Sequence, residues 1–277
     1  MAPSFKHPDV VDIPGAIAAC WRRLLLAAAF LTCLPLGSGT QAVAARGTVV
    51  PAIQRLPELT RATGVFPLVG AAIGLIAGLA LLGAFQLGLH PLACAFIAVA
   101  VAIALSGALH EDGLADFADG LGGGTREDRL AIMRDNRIGT FGTLALLFGV
   151  GIRASILSDL SSPEAAALSL IGAAAVSRAV LPAVMRWQRP ARTDGLSAAV
   201  GAPTNAQVAT AAALALLIAL LAIGFRAGLL AAVVGAIAAL AVAALAQRKL
   251  GGQTGDVLGA VQVVAETAAL AAIAAVE

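Results

Sequence analysis

Apolar residues run through this chain in blocks too long for a soluble fold. Ala62 to Leu89, Pro91 to Leu109, Gly195 to Phe225 and Ala227 to Gln247 contain no Asp, Glu, Lys or Arg. A bilayer core takes about 20 apolar residues per helix. The blocks therefore predict membrane spans, which we place at 65–85, 91–110, 138–157, 165–185, 206–225, 227–247 and 257–276. A further apolar stretch, 20–36, begins at Arg22-Arg23 and is interrupted by Pro35 and Gly37. Its charged pair comes late for a cleaved leader, so it reads as a retained re-entrant or interfacial element. The expected fold is an all-α polytopic membrane protein with about seven transmembrane helices and this extra N-terminal helix. No tandem repeat divides it. One integral membrane domain, 1–277, comprises an N-terminal region, 1–60, and a transmembrane bundle, 61–277.

Composition strengthens this picture. Charged residues make up only 12% of the chain, about half the share usual in soluble domains. A net charge of +2 gives no reason to expect a nucleic-acid partner. Cys20, Cys33 and Cys94 lack metal or redox spacing and read as small packing residues. The placement of the basic residues is more telling. Arg126, Arg129, Arg134 and Arg137 share one loop, Arg186, Arg189 and Arg192 a second, and Arg248 and Lys249 a third. Arg46, Arg55 and Arg61 precede the first span. The alternate connections are nearly bare of Lys and Arg. This bias puts the basic loops on the cytoplasmic side.

On that side lies HEDGLADFADG, 110–120, with five acidic or imidazole side chains in ten residues. Asp112, Asp116 and Asp119 recur at i, i+4 and i+7. On a helix they fall within a sector of about 60°. Carboxylates so aligned repel unless cations lie between them, and all-oxygen ligands suit Mg²⁺ or Mn²⁺. Such a metal normally shares its shell with substrate phosphates. The chemistry indicated is phosphoryl transfer or diphosphate departure. A solvated acidic helix end is the plainer alternative. It does not account for regular spacing continuous with the span 91–110, where charges are costly. Gly113 and Gly120 remove side chains beside aspartates, as a bulky anion would need. His110 is a candidate substrate contact or proton carrier.

Two more polar stretches follow. TREDRLAIMRDNRIGTFG, 125–142, opens with Thr125 and Asp128 at capping-box spacing. Its arginines supply guanidinium forks for phosphate, Arg137 the best placed, beside Asp135 at a span entrance. For Arg126 and Arg129 the positive-inside rule is an equal explanation. LGGQTGDVLGA, 250–260, offers a glycine-rich backbone at Gly252, the Thr254 hydroxyl and the Asp256 carboxylate. Arg153, Arg178 and Glu266 lie inside spans, where charges pair or line a cavity.

Together GALHEDGLADFADG (107–120), MRDNRIGTFG (133–142) and LGGQTGDVLGA (250–260) resemble the cobalamin synthase family, the adenosylcobinamide-GDP ribazoletransferases. FPLVG (66–70) and Ser177-Arg178 add to the likeness, which spans residues 30 to 277. Cys33 departs from it, standing where the family often has arginine. The resemblance implies transfer of adenosylcobinamide phosphate from its GDP form to α-ribazole or α-ribazole 5′-phosphate, with release of GMP. It implies Mg²⁺ as cofactor and a bacterial cytoplasmic (inner) membrane location, the active site facing the cytoplasm. Asp112, Asp116 and Asp119 are then the expected metal ligands. Asp256 or Asp135 completes the site or positions the nucleophile. Arg137 and Arg178 contact phosphate, with His110, Gly120, Gly252 and Thr254 also on the substrate side. A homo-oligomer is compatible with all of this.

Two other readings fit parts of the chain. A CDP-alcohol phosphotransferase would share the Asp-Gly-x-x-Ala opening of Asp112 to Ala115, but it needs an arginine where Asp116 stands. A cation-coupled transporter would place its acids near the bilayer midplane in two related halves.

Overall fold

The computed structural model describes residues 15–35, 56–192 and 199–277. Among them are eleven α-helices and no strand. The first is α1 (Gly15–Leu31), followed by α2 (Leu56–Ala62), a 3₁₀ turn (Thr63–Val65) and α3 (Phe66–Gln86). Next come α4 (Pro91–Ser106), α5 (Leu109–Gly120), α6 (Arg126–Ile132), α7 (Thr140–Asp159) and α8 (Pro163–Trp187). The last three are α9 (Asn205–Ile223), α10 (Phe225–Leu250) and α11 (Gly255–Ala274).

Six stretches are long and apolar enough to cross a membrane: Glu58–Gln86 and helices α7 to α11. The pair α4–α5 makes a seventh if taken as one span. The chain is thus an all-α, multi-pass membrane protein, as the apolar blocks predict. Leu147, Phe148, Leu221 and Ile237 face outward, as lipid-facing residues should. The N-terminal element is a helix of 17 residues that ends at Leu31, before Pro35. Gly37, Arg46 and Arg55 lie outside the described residues.

Span 91–110 needs correction. The helix stops at Ser106, and Gly107 and Ala108 both take left-handed backbone conformations, with φ of 62° and 57°. Helix α5 then leaves at 91° to α4. The acidic stripe is therefore not continuous with the span that precedes it. It sits on a short helix turned across the end of the bundle.

Helix α8 is the axis, packed on α3, α9, α10 and α11. With lipid outside, apolar burial gains little, and close backbone approach through small residues drives packing. Gly70, Gly74 and Gly78 meet α8 in this way at Ala174, Leu170 and Ala167. A Cβ on Gly74 would strike the Leu170 backbone. Gly74→Val is therefore expected to lower the melting temperature of detergent-purified protein by several degrees. Val at the outward-facing Ile237 should leave it unchanged.

A buried ionic cluster ties the helices together. Glu266 of α11 takes charged hydrogen bonds from Arg178 and, at 3.4 Å, from Arg153. Ser177 donates to it at 3.2 Å and Gln262 at 2.7 Å. Arg153 reaches on to Glu111 of α5 at 2.9 Å. Two arginines thus balance two glutamates between α5, α7, α8 and α11.

Candidate active site

Helix α5 is held at the bundle end by a backbone-to-backbone crossing with α11. A Cβ on Gly113 would lie 2.8 Å from the Asp256 carbonyl oxygen, and one on Gly259 would lie 2.9 Å from that of His110. The crossing brings the Asp112 and Asp116 carboxylates up to Asp256 at the start of α11. Gly113→Val should prise α5 away and reduce turnover at least tenfold, with a loss of about 1–3 kcal/mol in stability from overpacking. Turnover and thermal melts of the same preparation would measure both.

Asp256 is prepared locally and at long range. Thr254 caps α11 by accepting the Val257 N–H at 3.2 Å, and its hydroxyl donates to Asp256 Oδ2 at 3.2 Å. Arg192 donates to the same oxygen at 2.6 Å. The loop carrying Arg192 is fixed by a parallel bridge between Pro190 and Gln253. Gln253 N–H donates to Arg189 at 2.9 Å, and Ala191 N–H donates to Gln253 at 2.7 Å. Gly252 has no side chain because the Arg189 carbonyl packs against it. Arg126 clamps both loops, donating to the carbonyls of Leu250 and Ala191, each at 2.6 Å.

These elements surround a cavity of about 310 Å³. Asp112, Arg192, Thr254 and Asp256 form its polar wall, and Phe30, Phe66, Leu181 and Met185 are part of its apolar wall. His110 also lines it. The structure thus gathers His110, Asp112, Thr254 and Asp256 from two sequence motifs about 140 residues apart. Asp116 lies beside the cavity, within electrostatic reach of Asp112, Asp256, Asp119 and Arg192.

Other expected site residues are engaged elsewhere. Both oxygens of Asp119 accept backbone N–H groups at the start of α7, Gly139 at 2.7 Å and Gly142 at 2.8 Å. Asp119 therefore caps α7 and anchors it to α5. Gly120 lies under Met133, and a Cβ there would collide with that side chain at 2.5 Å. Arg178 is buried in the ionic cluster and does not line the cavity. Arg137 is mostly exposed and pairs with Asp135 at 2.8 Å. Hydrogen bonds from Arg137 hold the Asp135 carboxyl below its usual range. The capping box of Thr125 and Asp128 forms as its spacing predicts.

Arg192 is the residue that sequence reasoning passed over. In the sequence it is one of several loop arginines, and only the Pro190–Gln253 bridge carries it to Asp256. Phe30 was equally silent, and Phe66 entered only as the start of FPLVG, with no place in the site. They meet with ring centres 5.9 Å apart.

The donors fit a hard cation by chemistry: Asp112, Asp116 and Asp256 offer only oxygen. Among the described residues, no three acidic, histidine or cysteine side chains converge tightly enough to hold a metal by themselves. An ion held there would need water and phosphate to complete its shell, as Mg²⁺ usually has.

Comparison with known proteins agrees with the motifs. Residues 23–274 match the family described as cobalamin-5-phosphate synthase. A protein of Bradyrhizobium diazoefficiens named adenosylcobinamide-GDP ribazoletransferase is 44% identical over 253 residues, covering 91% of this chain and 93% of its own. One of the same name from Azorhizobium caulinodans is 48% identical over 221 residues, 77% of this chain and 84% of its own. That of Allorhizobium ampelinum is 46% identical over 226 residues, 78% and 86% respectively. No solved structure matches the chain. The match covers the acidic helix, the Arg126 clamp and the Asp256 turn alike, and so the chain belongs to the cobalamin-5-phosphate synthase family, membrane transferases of cobalamin biosynthesis.

Proposed function

We propose that this chain joins adenosylcobinamide-GDP to α-ribazole, or to α-ribazole 5′-phosphate, and releases GMP. The observation that carries the reading is the convergence of Asp112, Asp256, Arg192 and Thr254 on one cavity at the bundle end where the basic loops gather. A ribose hydroxyl oxygen forms a bond to the cobinamide-side phosphorus. The bond from that phosphorus to the bridging oxygen breaks, and the oxygen leaves with GMP. The 5′-phosphate survives in the product, so the attacking hydroxyl is not the 5′ one.

Asp256 is the carboxylate placed to hold the attacking hydroxyl and accept its proton. Arg192 and Thr254 fix its Oδ2 and leave Oδ1 for this contact. Asp112 and Asp116 would hold Mg²⁺, with Asp256 at the edge of that set. Bound there, the ion would neutralise the charge that develops on the departing diphosphate oxygen. Arg192 supplies a second positive group for the phosphates. The side with Arg126, Arg134, Arg189 and Arg248 faces the cytoplasm of a bacterial inner membrane by the positive-inside rule.

The test is an assay of purified protein in liposomes with both substrates and Mg²⁺. GMP should appear in step with cobalamin, and EDTA should stop both until Mg²⁺ is restored. Uptake of substrate without GMP release would overturn the assignment in favour of transport. Full turnover in EDTA would remove the metal from it.

A further inference from the structure

The cavity is built in two halves, and the apolar half has no part in the phosphate chemistry. Its walls include the stacked rings of Phe30 and Phe66, only 16° from parallel, with Leu181 and Met185. Flat walls of this kind suit a flat aromatic guest. His110 lines the same cavity. His110 is 3% exposed, and its Nε2 has no hydrogen-bond partner. Buried nitrogens are nearly always partnered, and this one belongs to a residue of the cavity wall, so a small turn of the ring would offer it to a ligand atom. Size narrows the choice. At about 310 Å³ the space lies at the low end of the roughly 300–1,000 Å³ common for small-molecule sites. It admits a nucleoside and excludes a corrin macrocycle.

We propose that this cavity is the acceptor subsite. The benzimidazole of α-ribazole lies against Phe66 and Met185, and His110, as its Nε2–H tautomer, donates a hydrogen bond to the unsubstituted ring nitrogen. The ribose then points to Asp112 and Asp256, where its hydroxyl meets the phosphate. This assignment rests on the ribazoletransferase reading and adds to it the residues that select the base. The corrinoid must approach from outside the cavity, with only its phosphates reaching the polar half.

Equilibrium binding of α-ribazole alone, to the full chain in liposomes, tests the subsite apart from turnover. His110→Leu should weaken binding about tenfold, the size of one hydrogen bond, and leave KM for adenosylcobinamide-GDP unchanged. The corresponding riboside of an indole, which has no second ring nitrogen, should bind the native protein about tenfold more weakly than α-ribazole. It should bind His110→Leu and the native protein equally. His110→Gln, which keeps an N–H donor, should recover part of the loss. Leu181→Trp, which fills the apolar half, should raise KM for α-ribazole alone. Equal binding of the two ribosides by the native protein would overturn the proposal, even if the His110 variants fail to fold. So would an effect of Leu181→Trp on KM for adenosylcobinamide-GDP alone. If the native protein turns over both substrates while these results go against the subsite, only the subsite falls. Absence of GMP release from the native protein would remove the reaction itself.

Discussion

Asp112→Asn and Asp116→Asn should each reduce kcat at least a hundredfold while leaving the protein folded and inserted. Removing one carboxylate from a Mg²⁺ site forfeits a share of several kcal/mol of transition-state stabilisation, and each 1.36 kcal/mol is a factor of about ten in rate. The fold has little to lose by comparison. Neither side chain joins an ion pair among the described residues, and Asn keeps the size of Asp. Asp116 faces three other carboxylates, so neutralising it relieves repulsion. Its melting temperature should stay level or rise, the signature of a residue kept for activity at the expense of stability. Asp119→Asn should behave in the opposite sense. Both Asp119 oxygens accept amides of α7, and Asn would set an NH₂ group against one of those N–H donors. That variant should melt earlier. Circular dichroism melts beside GMP-release kinetics would separate the two behaviours. Full activity in both Asp112→Asn and Asp116→Asn would end the metal assignment.

The contrast between Asp116 and Asp119 shows what the sequence could and could not convey. Apolar block lengths located the spans, because lipid imposes a length on any helix that crosses it. The capping box at Thr125 and the helix start at Thr254 are local devices and were equally legible. Helical spacing put Asp119 in line with Asp112 and Asp116, and the helix exists, but spacing does not say which neighbour a side chain meets. The amides of Gly139 and Gly142 arrive from twenty residues on. The turn at Gly107-Ala108 was hidden for another reason. It contains no proline, and its one local mark is the Ser106-Gly107 pair, small residues that membrane helices also carry in their interiors, so a 91° break there was not legible. Arg178 and Glu266 announced themselves as intramembrane charges, yet which partner each would find depended on how α8 and α11 pack. Arg192 reaches Asp256 only through loop stitching between distant segments. Residues that work through their own helix were readable, and those that work through a tertiary contact were not.

Glu266→Ala is expected to be the most destabilising single substitution in the bundle. Glu266 is almost fully buried and is the point where Arg153, Arg178, Ser177 and Gln262 meet. Deleting its carboxylate leaves Arg153 with Glu111 alone, and Arg178 loses its only carboxylate partner among the described residues. Breaking a buried pair on one side costs about 3–5 kcal/mol, a large part of the roughly 5–15 kcal/mol that holds a typical domain together. The apolar matrix around the cluster offers the stranded charge no water. The damage should reach the active site as well, because Arg153 also holds Glu111, one residue before Asp112. Loss of turnover should therefore track loss of folded protein. Glu266→Gln should fall between, since an amide keeps hydrogen bonds to Ser177 and Gln262 but gives up the charge. Thermal melts and folded yield in detergent would decide the matter. A native-like melt in Glu266→Ala would show that the arginines are compensated by other means. Lost turnover with an unchanged melt would move Glu266 from the scaffold to the chemistry.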